Sequence, residues 1–161
     1  MKYIDTETIE EHNRNLFAEF RELNLPLGEY AIVSGGPLAV RGLKKTGDVD
    51  VLVSDKLWEE LKSKNMVKNI EGGNAQVISL DEDVDILSFR ESSDEGIDGN
   101  PTNNEQIKNA EIIDGLSFQS LRDSLWFKHH SEREKDKKDI EIVKQYLAGH
   151  PEEAKKIDFL N

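Results

Sequence analysis

At 161 residues, with a net charge of −12 and no cysteine, the chain has the length of one folded domain and is excluded from two chemistries. Neither a disulfide framework nor a thiolate zinc site can be built, so a reducing, cytoplasmic setting is expected, and the acidic excess opposes general binding to DNA or other nucleic acid backbone. The opening MKYIDTETIEEH holds no apolar run of signal-peptide length, and no segment approaches the roughly 20 apolar residues of a membrane span, so no membrane partner is expected.

In chain order, capping residues between Asp5 and Thr8 precede Ile9, Leu16, Phe17, Phe20 and Leu23, an apolar set at helical spacing, and Pro26 marks the end of that helix. Glu29 to Ser34 (EYAIVS) is predicted as a strand, stopped by Gly35 and Gly36, with Pro37 opening a short helix through about Gly42. Asp48 to Ser54 (DVDVLVS) alternates as a strand, and Asp55 is placed as the cap of an amphipathic helix carrying Leu57, Trp58 and Leu61. Strands follow at Met66 to Ile70, Ala75 to Leu80 and Val84 to Phe89, the first two divided by the turn signal Glu71-Gly-Gly-Asn74. Glu91 to Asn104 has almost no apolar content and reads as a loop, either a lid or plain disorder. Ala110 to Ile113 reads as a short strand ended by Asp114-Gly115, with helices over Ser117 to His130 and Arg133 to Leu147 and a short terminal helix after Gly149-His-Pro151. The expectation is a single domain over residues 1–161, with a mixed α+β core over 1–115 and a helical part over 116–161.

Two features carry chemistry. Gly35 and Gly36 end a strand and open a helix, an arrangement that lets phosphate oxygens approach bare backbone; taken by themselves, the two glycines are more simply explained by a tight turn. Asp48 and Asp50 stand two residues apart on a strand, so both carboxylates project to one side about 7 Å apart along it. Their mutual repulsion would be reversed by a divalent cation, whereas a half-solvated strand alternates in the same way. Asp85 lies in an apolar strand and completes the set if that strand neighbours the first; Asp83 shares its face and is a rival. Oxygen-only ligation suits Mg²⁺ or Mn²⁺.

Other residues carry less. Lys45-Thr-Gly47 matches a β-lactamase tripeptide without that family's other motifs. Arg41, Lys44 and Lys45 fit either phosphate contact or a favourable charge at a helix end. His129 and His130 diverge by about 100° on a helix and cannot chelate one ion in the i, i+4 manner. Trp58 and Trp126 are expected in the core.

The ordered pattern of Gly35-Gly36, eleven intervening residues, DVDV and a later hydrophobic-Asp-hydrophobic strand resembles the nucleotidyltransferase superfamily typified by DNA polymerase β. Within it, SGGPLAVRGLKKTGDVDVLVSD is most similar to the small bacterial nucleotidyltransferases of antibiotic-resistance and toxin-antitoxin systems. The likeness covers roughly residues 30–55, 83–88 and 110–147, the last through Lys128, Arg133, Lys135, Asp136, Asp139 and Ile140. The resemblance implies a palm-like mixed sheet flanked by helices, and transfer of a nucleoside monophosphate, AMP above all, from an NTP (ATP) to a hydroxyl. It implies that Ser34, Gly35, Gly36 and Lys128 hold the nucleotide. It also implies that Asp48, Asp50 and Asp85 bind Mg²⁺ or Mn²⁺, with Asp85 accepting the proton. The acceptor is left open among a protein side chain, an RNA end and a small molecule, as is a partner chain or a homodimer. A different class of function on the same fold is an inactive binding module, such as an antitoxin or regulatory partner.

Overall fold

The computed structural model describes residues 8–70, 75–89, 101–157 and 159. Helix α1 (Ile9–Arg21) starts at a capping box: the Thr8 hydroxyl accepts from the Glu11 N–H at 3.1 Å, and the Glu11 carboxylate accepts from the Thr8 N–H. Strand β1 (Tyr30–Val33) leads through Ser34 into the one-turn helix α2 (Gly36–Ala39). Then come β2 (Val49–Val53), α3 (Asp55–Lys62), the two-residue β3 (Lys68–Asn69), β4 (Ala75–Asp81) and β5 (Val84–Phe89). The chain closes with α4 (Asn103–Lys108), β6 (Glu111–Ile113), β7 (Leu116–Phe118), α5 (Leu121–His129), α6 (Glu134–Ala148) and α7 (Pro151–Ala154).

The result is an α+β fold with a seven-stranded mixed sheet in the order β3-β4-β5-β2-β1-β7-β6. β2 runs antiparallel to β1 and parallel to β5, and β7 runs parallel to β1. Side chains alternate across a strand, so each position is assigned a face. Tyr30, Ile32, Val49, Val51, Val53, Val84, Ile86 and Phe118 form one face, buried against Leu16, Phe17 and Phe20 of α1 and Leu57 and Trp58 of α3. Phe17 meets Phe118 edge to face with centroids 5.3 Å apart, and Phe20 meets Tyr30 at 5.5 Å. The opposite face carries Val33, Asp50, Leu52, Asp85 and Leu87. Over it sit α4, which contacts β1 and β2, and a second apolar cluster made by Leu38 with Leu121 and Leu125 of α5 and Ile140, Val143 and Leu147 of α6.

Several sequence expectations change. The helix expected over Ser117 to His130 gives up its start to β7, so residues 116–118 of the expected helical part belong to the sheet. Asp114 and Gly115 both take positive φ, 51° and 79°, which makes the two-residue hairpin turn that folds β7 back on β6. Ser120 then caps α5, its hydroxyl accepting from the Asp123 N–H at 3.1 Å. The loop expected over Glu91 to Asn104 ends in α4, whose cap Thr102 accepts from Glu105 N–H; residues 91–100 of that expectation lie outside the described residues, as does the turn at Glu71 to Asn74. The strand at Met66 to Ile70 contracts to Lys68–Asn69, with Met66 exposed. Ser54 rather than Asp55 caps α3: its oxygen accepts from Leu57 N–H and its hydroxyl donates to Glu29. Trp58 is buried as expected, but Trp126 is only partly so, stacking on His130 with centroids 3.8 Å apart. Among the described residues no helix is long and apolar enough to cross a membrane.

Candidate metal centre and cavity

Asp48, Asp50 and Asp85 come together. Asp50 and Asp85 are register partners on the adjacent parallel strands β2 and β5, and Asp48 lies just before β2. One carboxylate oxygen from each lies within 4.8 Å of the other two. Asp83, the rival, is buried at the foot of β5 and is not in the group. The triad is graded in exposure, Asp48 exposed and the other two intermediate. Burial, then the Asp48 charge, raise the Asp50 carboxyl above its ordinary value, with Asp85 adding to the rise and the Ser34 hydroxyl and Lys135 opposing it. Asp85 is oriented by Ser79, its cross-strand neighbour, whose hydroxyl donates to Oδ1 at 2.7 Å. Three hard oxygen donors that repel one another at this range could together hold a metal ion.

The approach to the triad is held from behind by α1. The Asn13 amide donates to the carbonyls of Ala39 (3.0 Å) and Lys44 (2.8 Å) while its oxygen accepts from Thr46 N–H. His12 Nε2 donates to the Thr46 carbonyl at 2.8 Å, and the Thr46 hydroxyl donates to the Asp48 carbonyl at 3.0 Å. Both side chains are buried. They were missed in the sequence although the signal is there: positions 12 and 13 fall on the same stripe as Leu16, Phe17 and Phe20, where polar residues need partners.

Ser34 takes φ 57°, left-handed backbone that a non-glycine residue adopts at a cost of about 1–3 kcal/mol. This turn swings the chain from β1 into α2 and leaves the Ser34 hydroxyl bonded to Asp50. The two glycines have different reasons to be there. Gly35 lines the cavity, and a Cβ on it would come 3.0 Å from the Thr46 hydroxyl. Gly36 is buried, and a Cβ on it would stand 2.3 Å from Ile32 Cγ2, so its bare backbone serves packing of α2 on β1.

A cavity of about 560 Å³ opens from Ser34, Gly35 and Asp50 toward α4, α5 and α6. Its basic wall is built on Asp139, buried in α6, which takes Lys128 Nζ at 3.0 Å and Lys44 Nζ at 3.2 Å. Asp136 supports Lys128 at 3.6 Å and accepts from the Ser131 hydroxyl at 2.6 Å. Lys128, predicted from sequence, is thus at the cavity but tied to two carboxylates; Lys44 joins it there, and Lys135 reaches the same wall. Arg41 goes elsewhere, bonding the Pro37 carbonyl, Glu111 and Glu153, so it fastens α2 to β6 and α7.

The fold and site define an α+β protein with a carboxylate triad that could hold a metal ion, at the mouth of a cavity that is basic on one wall. No protein-family model matches the chain, and no curated protein matches it.

Proposed function

We propose that the protein is a divalent-cation-dependent nucleotidyltransferase with a polymerase β-type palm, transferring a nucleoside monophosphate from an NTP to a hydroxyl with release of pyrophosphate. The observation that carries this reading is the convergence of Asp48, Asp50 and Asp85 from two paired strands beside the Ser34-Gly35 turn. Asp48, Asp50 and Asp85 are the residues that would hold Mg²⁺ or Mn²⁺, and the ion when bound supplies charge neutralisation to the phosphates and the departing pyrophosphate.

The remaining work falls to the chain's own groups. Gly35 lets a phosphate approach without a side chain in the way, and Lys44 and Lys128 offer ammonium groups already fixed by Asp139. Ser79 holds one oxygen of Asp85, leaving the other to take the proton from the attacking hydroxyl. The hydroxyl oxygen bonds to the α-phosphorus as the bond from that phosphorus to the β-phosphate bridging oxygen breaks, and pyrophosphate carries away the electron pair. The acceptor is a hydroxyl of a protein, an RNA end or a small molecule.

Incubation with each α-labelled NTP and Mg²⁺ tests the reading. Pyrophosphate release or transfer of label, abolished in Asp50→Asn, is expected. Absence of turnover together with absence of NTP binding by calorimetry overturns it, as does turnover that survives in Asp50→Asn.

A further inference from the structure

The cavity is not lined by charged groups alone. Its lining also includes neutral groups: Leu52 and Leu87 two residues beyond Asp50 and Asp85 on the same sheet face, Phe127 of α5, and the carboxamides of Gln106 and Gln119. Gln106 and Gln119 are each at least nine-tenths buried, at 6% and 5% exposure.

These carboxamides form a relay with a fixed direction. The Pro101 carbonyl can only accept, so the Gln106 group that meets it at 3.3 Å is Nε2. Gln106 therefore presents its oxygen to Gln119, which must answer with Nε2, at 2.8 Å. Gln119 is left with Oε1 as an oriented acceptor; among the described residues nothing donates to it. Among the described residues the buried side-chain oxygens that lack a donor belong to Asp83 and Asp123, so the Gln119 oxygen stands open to the cavity that its residue lines.

Its position across the sheet assigns the partner. Gln119 follows β7, and its N–H donates to the Ile32 carbonyl at 2.8 Å, so it flanks β1 and the Ser34-Gly35 turn. Asp85 stands on β5, on the other side of β2. In a nucleotidyltransferase reading, on which this inference rests, the acceptor hydroxyl arrives at Asp85 and the nucleotide lies on the Ser34 side. We propose that Gln119 reads the base of the donor nucleotide by accepting a hydrogen bond from an exocyclic amine, and that the base is adenine. On the purine edge turned away from the sugar adenine carries its amine at C6, where guanine carries a carbonyl oxygen that would face the Gln119 oxygen; the amine of guanine sits at C2, on the sugar side, and uracil has none. A purine also offers more surface to Phe127 than cytosine does.

The test is calorimetric titration of the full-length chain with Mg²⁺ and each of ATP, CTP, GTP, UTP and purine riboside triphosphate, the last an ATP analogue whose base has no N–H. ATP is expected to bind at least about tenfold more tightly than purine riboside triphosphate, and Gln119→Ala is expected to abolish the difference. Equal binding of ATP and the analogue to the unaltered protein overturns the assignment and leaves the nucleotidyltransferase reading standing. Tighter binding of CTP, GTP or UTP than ATP overturns the choice of adenine. Absence of binding by every triphosphate removes both. The wild-type comparison needs no variant to fold, and a Gln119→Ala protein that folds and keeps the full preference for ATP also refutes the role of Gln119.

Discussion

Replacing Asp50 with Asn should make the protein more stable in the absence of metal. Unit charges 4.8 Å apart, the outer limit for the triad, repel by about 0.9 kcal/mol in a water-like medium and about 3.5 kcal/mol at an effective dielectric near 20. Asp50 faces two such neighbours; Asp48 is exposed, which places its share toward the low end, and Lys135 offsets part of the rest. Asn removes the charge and keeps an oxygen for the Ser34 hydroxyl. A net gain of about 1–2 kcal/mol follows, which for a chain of this size is a rise in Tm of about 2–8 °C. The pH dependence has a definite sign. Burial and the neighbouring carboxylates raise the Asp50 carboxyl above its ordinary 3.8, so the native state holds that proton more tightly than the unfolded state. Ionised Asp50 weighs against folding at pH 7, and the advantage of Asn shrinks as pH falls and vanishes below 3.8. Differential scanning calorimetry in low salt with chelator, at pH 7 and pH 3.5, measures both effects, and added Mg²⁺ or Mn²⁺ should then raise the Tm of the parent and not of Asp50→Asn. An unchanged or lower Tm for the variant at pH 7, or a gain that persists undiminished at pH 3.5, refutes the reasoning.

Gly36→Ala places a methyl 2.3 Å from Ile32 Cγ2 and should cost about 1–3 kcal/mol in urea denaturation, with the smaller penalty at Gly35→Ala, where the nearest atom stands at 3.0 Å; equal midpoints would show that α2 is not seated on β1 as described. Asp139→Ala strips the closest partner from buried Lys128 and should cost about 3 kcal/mol, less in a Lys128→Met background. Single and double variants that add within about 0.5 kcal/mol would dissolve that pair. Asp136 behaves oppositely to Asp50: burial alone would raise it, but the Ser131 hydroxyl, Lys128 and Arg133 together hold it below 3.8. It therefore supports the fold above that pH and loses the contribution as pH falls further, so the stability gap between parent and Asp136→Ala should close below pH 3.8 in an acid titration followed by circular dichroism.

The site was legible where local pattern and strand pairing agree. Val49, Val51 and Val53 alternate with Asp50 and Leu52, which fixes the face of each residue on β2 before any partner is known, and Val84-Asp85-Ile86 repeats the signature on β5. β7 was harder. Leu116–Phe118 is too short to show a period, and only the turn at Asp114-Gly115 and the vacancy beside β1 make it a strand. For α4, a single capped turn and a half offers Ile107 as its buried apolar residue, too little for a helical stripe to register.

By itself the sequence determined which residue types could meet a cation and which way they point, because the two-residue period of a strand is a local property of the backbone. Whether Asp85 would stand beside Asp50 depended on β5 pairing in parallel with β2, and the convergence of Lys44, Lys128 and Asp139 depended on α6 packing back over the sheet. Those contacts join residues up to 95 positions apart. They are set by which apolar faces bury one another, a property of the whole core that no short stretch of chain encodes.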